Sequence, residues 1–444
     1  MQVLIIILIL AATLIDGFVT GFNMFPLLRL IPEVFSVIIV VVVLMRGVRY
    51  GFPLVAPKYW FVFGLLTLII LCGILTNDVG SGPTLAGMRT YLRAIPLFLL
   101  PAVYPFTDKQ LQQQLKVILG IAVLQIPFAI YQRFVILSQG RFSGDDVRGT
   151  LADSGVLSIF LICCTLVVVG LMMKDRLKKS YFVVLFFALL TPTMINETKA
   201  IVLMLPAGLL TTIVAAAPAG KRLKVFGAGM ALLVAFGCVL VPVYDAMAVY
   251  NPYRTNKHLL DFFTDQSEIE KYMVSKKVGV GTVAPLRRGD ALKVPVEYLA
   301  KDPIRLAFGL GLGNASRSNL GESFTGNYYG LFQSFVILSF TVFILELGLL
   351  GTSLVFLLYW LIFRDSIAVA RSDTGLIGSV AVGWIGAVVV IGMATFYTDI
   401  HVFASLSYLF WYFAGIIAAR RMALAVKVSP SVDSAYPVAQ RSAQ

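Results

Sequence analysis

Three arginines, Arg133, Arg141 and Arg148, fall within sixteen residues, and the last opens the run Arg148-Gly-Thr-Leu-Ala-Asp-Ser-Gly155. A guanidinium makes bidentate contacts to phosphate and glycine lets backbone N–H groups approach an anion, so this density of both residue types suits phosphate binding. The same residues could equally anchor the chain at a membrane interface or touch lipid headgroups, and composition alone leaves both readings open. Asn196-Glu-Thr-Lys199-Ala places a carboxylate and an amine in a turn between two apolar runs, where an ion pair or a cavity-facing lysine is the expectation. Arg287-Arg288 leads into a helical segment that stops at Asp302-Pro303, with Arg305 just beyond. Glu322, Asp399 and His401 are the remaining polar candidates. Asp399 and His401 share one short turn, which leaves acid–base work open to them, although a lone histidine near a helix end more often has a structural role.

The elements that must position these residues are apolar. Of 444 residues, 59% are hydrophobic and 13% charged, against about 45–50% and 25% in soluble domains. This is the composition of an all-α polytopic membrane protein. The four cysteines lie inside apolar runs, so neither a disulfide framework nor a metal site is indicated, and nothing suggests a cofactor or a nucleic-acid partner. Crossing a bilayer takes about 20 apolar residues. Twelve stretches approach that length, near 2–21, 30–47, 59–76, 88–106, 116–137, 153–173, 181–196, 199–217, 225–243, 345–363, 376–396 and 402–419. The first has no basic region before it and reads as a retained helix rather than a signal peptide.

Alternating the short loops between the two sides gathers Arg46, Arg49, Lys58, Lys174, Arg176, Lys221, Arg222, Arg364, Arg371, Arg420 and Arg421 on one side, which the positive-inside rule makes cytoplasmic, with both termini. The expected organisation is about nine crossings over 1–243, a large, partly helical periplasmic loop over 244–329, an interfacial helix and about three crossings over 330–419, and a disordered tail over 420–444. The apolar run 330–363 is too long for one crossing and too short for two, so 330–344 should lie at the interface or project outward, with the crossing beginning near Glu346-Leu-Gly-Leu-Leu-Gly351. Phe308-Gly-Leu-Gly-Leu-Gly-Asn314 imitates a dinucleotide fingerprint but lacks its strand and helix, and reads as a glycine-permitted turn against the membrane helices.

Four stretches, in order and spacing, resemble the O-antigen ligase and polymerase superfamily of bacterial envelope glycosyltransferases. Arg148 to Gly155 is similar to the family's external arginine segment, and Glu197-Thr-Lys199-Ala to its Ser-Arg-Gly/Ala turn. Arg287-Arg288 through Gly313 is similar to its long-loop arginine, helix and Gly-x-Gly run, and Glu346 to Gly351 to the start of its next helix. The likeness covers most of 130–360. Two departures stand out: Gln333-Ser334 where ligases carry a histidine, and Lys199 where arginine is more usual. The first favours the polymerase branch over a lipid A–core ligase.

The resemblance implies a metal-independent enzyme of the inner membrane that joins undecaprenyl-diphosphate-linked repeat units on the periplasmic side. Its partners would be the lipid-linked oligosaccharide donor, a growing glycan acceptor, the lipid bilayer, and flippase and chain-length regulator proteins. Arg148, Arg287 and Arg288 would stabilise the leaving diphosphate, Arg133, Arg141, Lys199 and Arg305 would bind it, and Glu322, Asp399 or His401 would activate the acceptor hydroxyl. The rival from another class is a transporter of the same lipid-linked sugars, a class that commonly shows internal repeats, and none stands out here.

Overall fold

The computed structural model describes residues 1–21, 24–136, 146–247, 258–274, 287–318, 320–333 and 338–428. Arg141, Ser334 and residues 429–444 lie outside the described residues, as do parts of the long loop. The described residues hold eighteen α-helices and no strand. They are α1 (Gln2–Gly21), α2 (Ile31–Tyr50), α3 (Pro57–Thr76), α4 (Ser81–Leu92), α5 (Ile95–Val103), α6 (Asp108–Tyr131), α7 (Ser154–Met173), α8 (Lys179–Ile195) and α9 (Ile201–Ala216). There follow α10 (Arg222–Met247), α11 (Asp261–Thr264), α12 (Gln266–Met273), α13 (Arg288–Leu299), α14 (Pro303–Phe308), α15 (Tyr329–Phe332), α16 (Ser339–Ser372), α17 (Leu376–Ala394) and α18 (Ala404–Val428).

Among the described residues, nine helices are long and apolar enough to cross a membrane. Three of the twelve expected crossings are not among them. The stretch 88–106 divides into α4 and α5, because Pro96 enters at the start of α5, a position that suits its fixed φ and its missing N–H. The other two are α8, at 17 residues, and α9, at 16. The tail also begins later than expected, since α18 runs unbroken to Val428.

α7 and α17 form the centre, each with 78% of its apolar window buried inside the protein. They approach closely because Gly170 of α7 sits against the Ser379 backbone and Gly383 of α17 against Leu166, and small residues are how lipid-embedded helices gain packing without a hydrophobic driving force. The α8–α9 hairpin packs on this pair. α2 and α10 lie outside, with 22% and 17% of their windows buried. Val34, Val37, Val41, Leu44 and Val48 stand exposed along α2, an apolar face that suits lipid rather than water.

α16 is interrupted at Gly348 (φ 66°, ψ −170°), which separates Ser339–Leu347 from the following crossing. The sequence predicts a crossing that begins near Glu346; the helix breaks two residues further on, at Gly348. Gly309 (φ 76°, ψ −167°) meets it: a Cβ on Gly309 would lie 2.6 Å from the Gly348 nitrogen, and Leu310 N–H donates to Leu345 C=O at 2.6 Å. Only glycine occupies these backbone angles without strain. The Phe-Gly-Leu-Gly-Leu-Gly run is therefore a structural wedge between α3, α4 and the α16 break, with Leu310 and Leu312 fully buried. α13 and α15 rest on it, as Leu299, Leu310, Phe332, Ile344 and Leu345 share one small core.

Charged groups collect at two places separated by the length of α16. At its C-terminal end, Lys58 and Tyr59 bond the Asp365 carboxylate at 2.6 and 2.8 Å, Arg420 pairs with Asp373 at 2.7 Å, and Lys174 and Arg176 reach the Asp373 and Thr374 carbonyls. These cations are among those that the loop alternation assigns to a single side. Replacing Gly348 with alanine is expected to cost about 1–3 kcal/mol, read as a lower melting temperature of the purified protein in detergent; an unchanged melting temperature would mean that the break tolerates a side chain.

Candidate functional site

The other charged region is built around the N-terminus of α7. Asp153 caps that helix, its carboxylate accepting from Val156 N–H at 2.7 Å. The preceding Arg148-Gly-Thr150 backbone is fixed by two glutamines at the end of α6. Gln132 Oε1 accepts from the N–H groups of Arg148 and Gly149 at 3.0 and 2.8 Å, and Gln125 Oε1 accepts from Thr150 N–H at 2.8 Å. Thr150 in turn donates to the Thr13 carbonyl of α1 at 2.9 Å. Gln125 and Thr150 are buried, so Arg148 projects from a rigid base.

Three further segments dock at the same place. Asn196, fully buried, donates to the Ser154 carbonyl and to Ser158 Oγ, both at 3.0 Å, which ties the 196–200 turn to α7. Tyr397, in the α17–α18 turn, packs directly against Gly155. Arg288, at the start of α13, stacks over the Tyr397 ring at 4.4 Å and donates from Nε to the Tyr397 carbonyl at 3.3 Å. α13 is held in place by Thr341 of α16, whose hydroxyl donates to the Ala291 carbonyl at 2.7 Å.

The structure thus brings Arg148, Arg288, Asp399 and His401 to one region, with Arg287 in the N-cap position of α13. Burial holds the Asp153 carboxyl above the usual carboxylate range, against the Val156 and Gly155 N–H groups that favour its charge. Asp399 raises it further and Arg148 lowers it, which places both groups within electrostatic reach of Asp153. His401 Nδ1 lies 3.0 Å from Asp399 Oδ1 and 2.9 Å from Ser339 Oγ.

Other expected site residues have different surroundings. Arg133 is buried and pairs with Glu197 at 2.6 Å, with a further bond to the Met247 carbonyl, so it meets a carboxylate where an open anion-binding face was expected. The internal ion pair of the 196–200 turn is therefore Glu197 with Arg133, while Lys199 lies over the Phe262 ring at 4.1 Å. Glu197 holds a left-handed backbone (φ 58°), unusual for a non-glycine residue. Arg305 pairs with Asp302 one turn away on α14 and stacks on Tyr328. Glu322 stands exposed on a short turn beside α4, apart from the α7 region.

Sequence reasoning missed Asp16, Arg29, Glu33, Arg89 and Arg93. Arg29 pairs with Asp16 at 3.1 Å, and Arg148 and Arg93 both act on that carboxylate. Arg89 grips Glu33 with two bonds at 2.6 and 2.7 Å; Arg93 adds one at 2.9 Å and donates to the His401 and Val402 carbonyls. An aspartate inside the apolar run of α1 was the signal available. Glu346 is also buried, its Oε1 accepting from Ala315 N–H at 3.3 Å, which pins the end of the glycine run to α16.

An apolar cleft opens beside this region between α3, α4, α5, α16, α17 and α18. Phe63, Leu66, Ile70, Leu358 and Trp411 line its body, and Tyr91 and His401 lie in its wall. A second cavity, between α6, α7, α17 and α18, is lined almost wholly by apolar side chains and carries no candidate chemistry. Among the described residues no cluster of His, Cys, Asp and Glu could hold a metal ion.

No family model and no curated protein matches the chain.

Arg133→Ala would leave the Glu197 carboxylate buried without its cation, an error that costs about 3–5 kcal/mol. The expected outcome is strongly reduced yield of folded protein, recovered in part by Arg133→Ala with Glu197→Gln; normal yield and melting temperature from the single variant would remove the structural role assigned to the pair.

Proposed function

We propose that the protein is a bacterial inner-membrane glycosyltransferase of the polysaccharide polymerase type, joining lipid-diphosphate-linked repeat units at the periplasmic face. One observation carries the reading: Arg148 and Arg288, 140 residues apart in the chain, arrive at the N-terminus of a single buried helix beside an apolar cleft. A lipid diphosphate needs this combination. Its charge grows as the glycosidic bond breaks, and preorganised guanidinium groups with a helix N-terminus stabilise that charge without reorganising. Its polyprenyl chain needs an apolar channel reachable from lipid, for which the cleft is suited. The large loop, through α13, supplies one of the two arginines, which gives the loop a function that a transporter would not require of it.

The arginine pair should therefore be essential for transfer and dispensable for folding. Arg148→Ala and Arg288→Ala are each expected to lower transfer about 100- to 1000-fold while leaving membrane expression near normal, as both side chains are half-buried on external segments. Lys199→Arg, which keeps the cation over Phe262, should be tolerated. Glycan chain length from cells carrying each variant, beside its amount in the membrane, is the measurement; normal polymer from Arg288→Ala at normal expression would remove the catalytic reading and favour the transporter.

The same reading fixes sidedness. In a background free of the native cysteines, Lys301→Cys should react with an impermeant maleimide in cells with a permeabilised outer membrane, and Ser180→Cys only after the inner membrane is opened. The reverse pattern would invert the topology and place the arginines on the cytoplasmic side.

A further inference from the structure

His401 is held from several directions and left open at one atom. Nδ1 faces the Asp399 carboxylate at 3.0 Å and Ser339 Oγ at 2.9 Å. The imidazole lies between Phe343 and Tyr91, with ring centres 5.0 and 5.4 Å away, and the backbone N–H of His401 donates to Ser339 Oγ at 3.3 Å. Arg93 holds the carbonyls of His401 and Val402, so the turn is clamped as well as the ring. Nε2, by contrast, makes no hydrogen bond among the described residues, while the residue lines the apolar cleft. Asp399 Oδ1 makes no hydrogen bond among the described residues, and its carboxylate sets a negative field beside Nδ1 that favours the tautomer protonated there, with Ser339 Oγ as acceptor and a lone pair left on Nε2. Of the groups considered for the acceptor's proton, Glu322 stands exposed and apart, and Asp399 faces the histidine.

We propose that His401 is the catalytic base, taking the acceptor hydroxyl proton on Nε2, with Asp399 and Ser339 as positioning residues. The inference rests on the glycosyl-transfer reading above. As the acceptor oxygen forms its bond to the anomeric carbon, its proton passes to Nε2. The bond from that carbon to the phosphate oxygen breaks, and its electron pair leaves with the diphosphate facing Arg148 and Arg288. Asp399 stabilises the imidazolium until the proton passes to water. The imidazole reaches Ser339, at the start of α16, from the α17–α18 turn.

The test uses the full-length protein in lipid nanodiscs, with lipid-diphosphate-linked repeat units extracted from the host's own membranes, and follows chain growth in a single turnover. His401→Ala is expected to lose about 100- to 10,000-fold, the range of general-base catalysis. His401→Gln, which fills the same space, serves if the alanine variant does not insert. The titratable and charged groups around the ring are Asp399 on its own turn, Arg93 and Tyr91 at α4, and Glu346 on α16; α3, α17 and α18 present apolar faces to it. Asp399→Asn should lower the single-turnover rate constant and leave the donor concentration that gives half the maximal rate unchanged. A merely structural role for Asp399 would lower the yield of folded protein or shift both quantities together, which would overturn the positioning assignment. Undiminished transfer by folded His401→Gln would overturn the base assignment and leave the transferase reading intact. Absence of transfer by the unaltered protein would overturn both.

Discussion

The N-terminus of α7 ends inside the protein rather than in water, and there its unpaired N–H groups must find partners from the chain itself. Asp153 supplies the cap, the 196–200 turn is tied in through Asn196, and Tyr397 closes over Gly155. Each of these segments comes from a different part of the sequence. Asp153 is the one of these that accepts from the helix N–H groups; Asn196 donates to the Ser154 carbonyl and Tyr397 packs by its ring, so three segments meet at one buried helix end and bring the residues they carry together. The dipole of α7 adds a fixed positive potential at the point of convergence.

Buried charge imposes the second condition. In a bundle surrounded by lipid, each carboxylate needs a cation and each guanidinium needs acceptors, or the protein loses several kcal/mol. Glu197 takes Arg133, Glu33 takes Arg89 and Arg93, and Asp16 takes Arg29. These pairings commit Arg133, Arg89, Arg93 and Arg29 to the scaffold. Arg93 also clamps the turn that carries His401, through the carbonyls of His401 and Val402.

Much of this was legible in the sequence. Hydropathy placed the long helices, and the length of 330–363 marked that run as more than one straight crossing, which agrees with the helix break at Gly348. The glycine run was readable as structural because it had no strand and helix beside it. Periodicity carries no information about pairing across the bundle, so the partner of Glu197 was not readable. Arg133 lies 64 residues away from it, whereas Lys199 stands nearby in the same turn. The division of 88–106 was marked by Pro96, which an apolar-length criterion passes over. His401 could be listed as a candidate but not ranked, because its surroundings come from α4, α16 and the α17–α18 turn.

The central claim is that Arg148 and Arg288 bind one diphosphate at the α7 N-terminus, with its lipid chain in the cleft. The most direct measurement is a cryo-electron microscopy structure of the full-length protein in nanodiscs with undecaprenyl diphosphate added. The account predicts diphosphate density within hydrogen-bonding distance of both guanidinium groups and chain density running past Phe63 and Leu66. Density at the opposite charged end, beside Lys58 and Arg420, or contact with neither arginine, would contradict it.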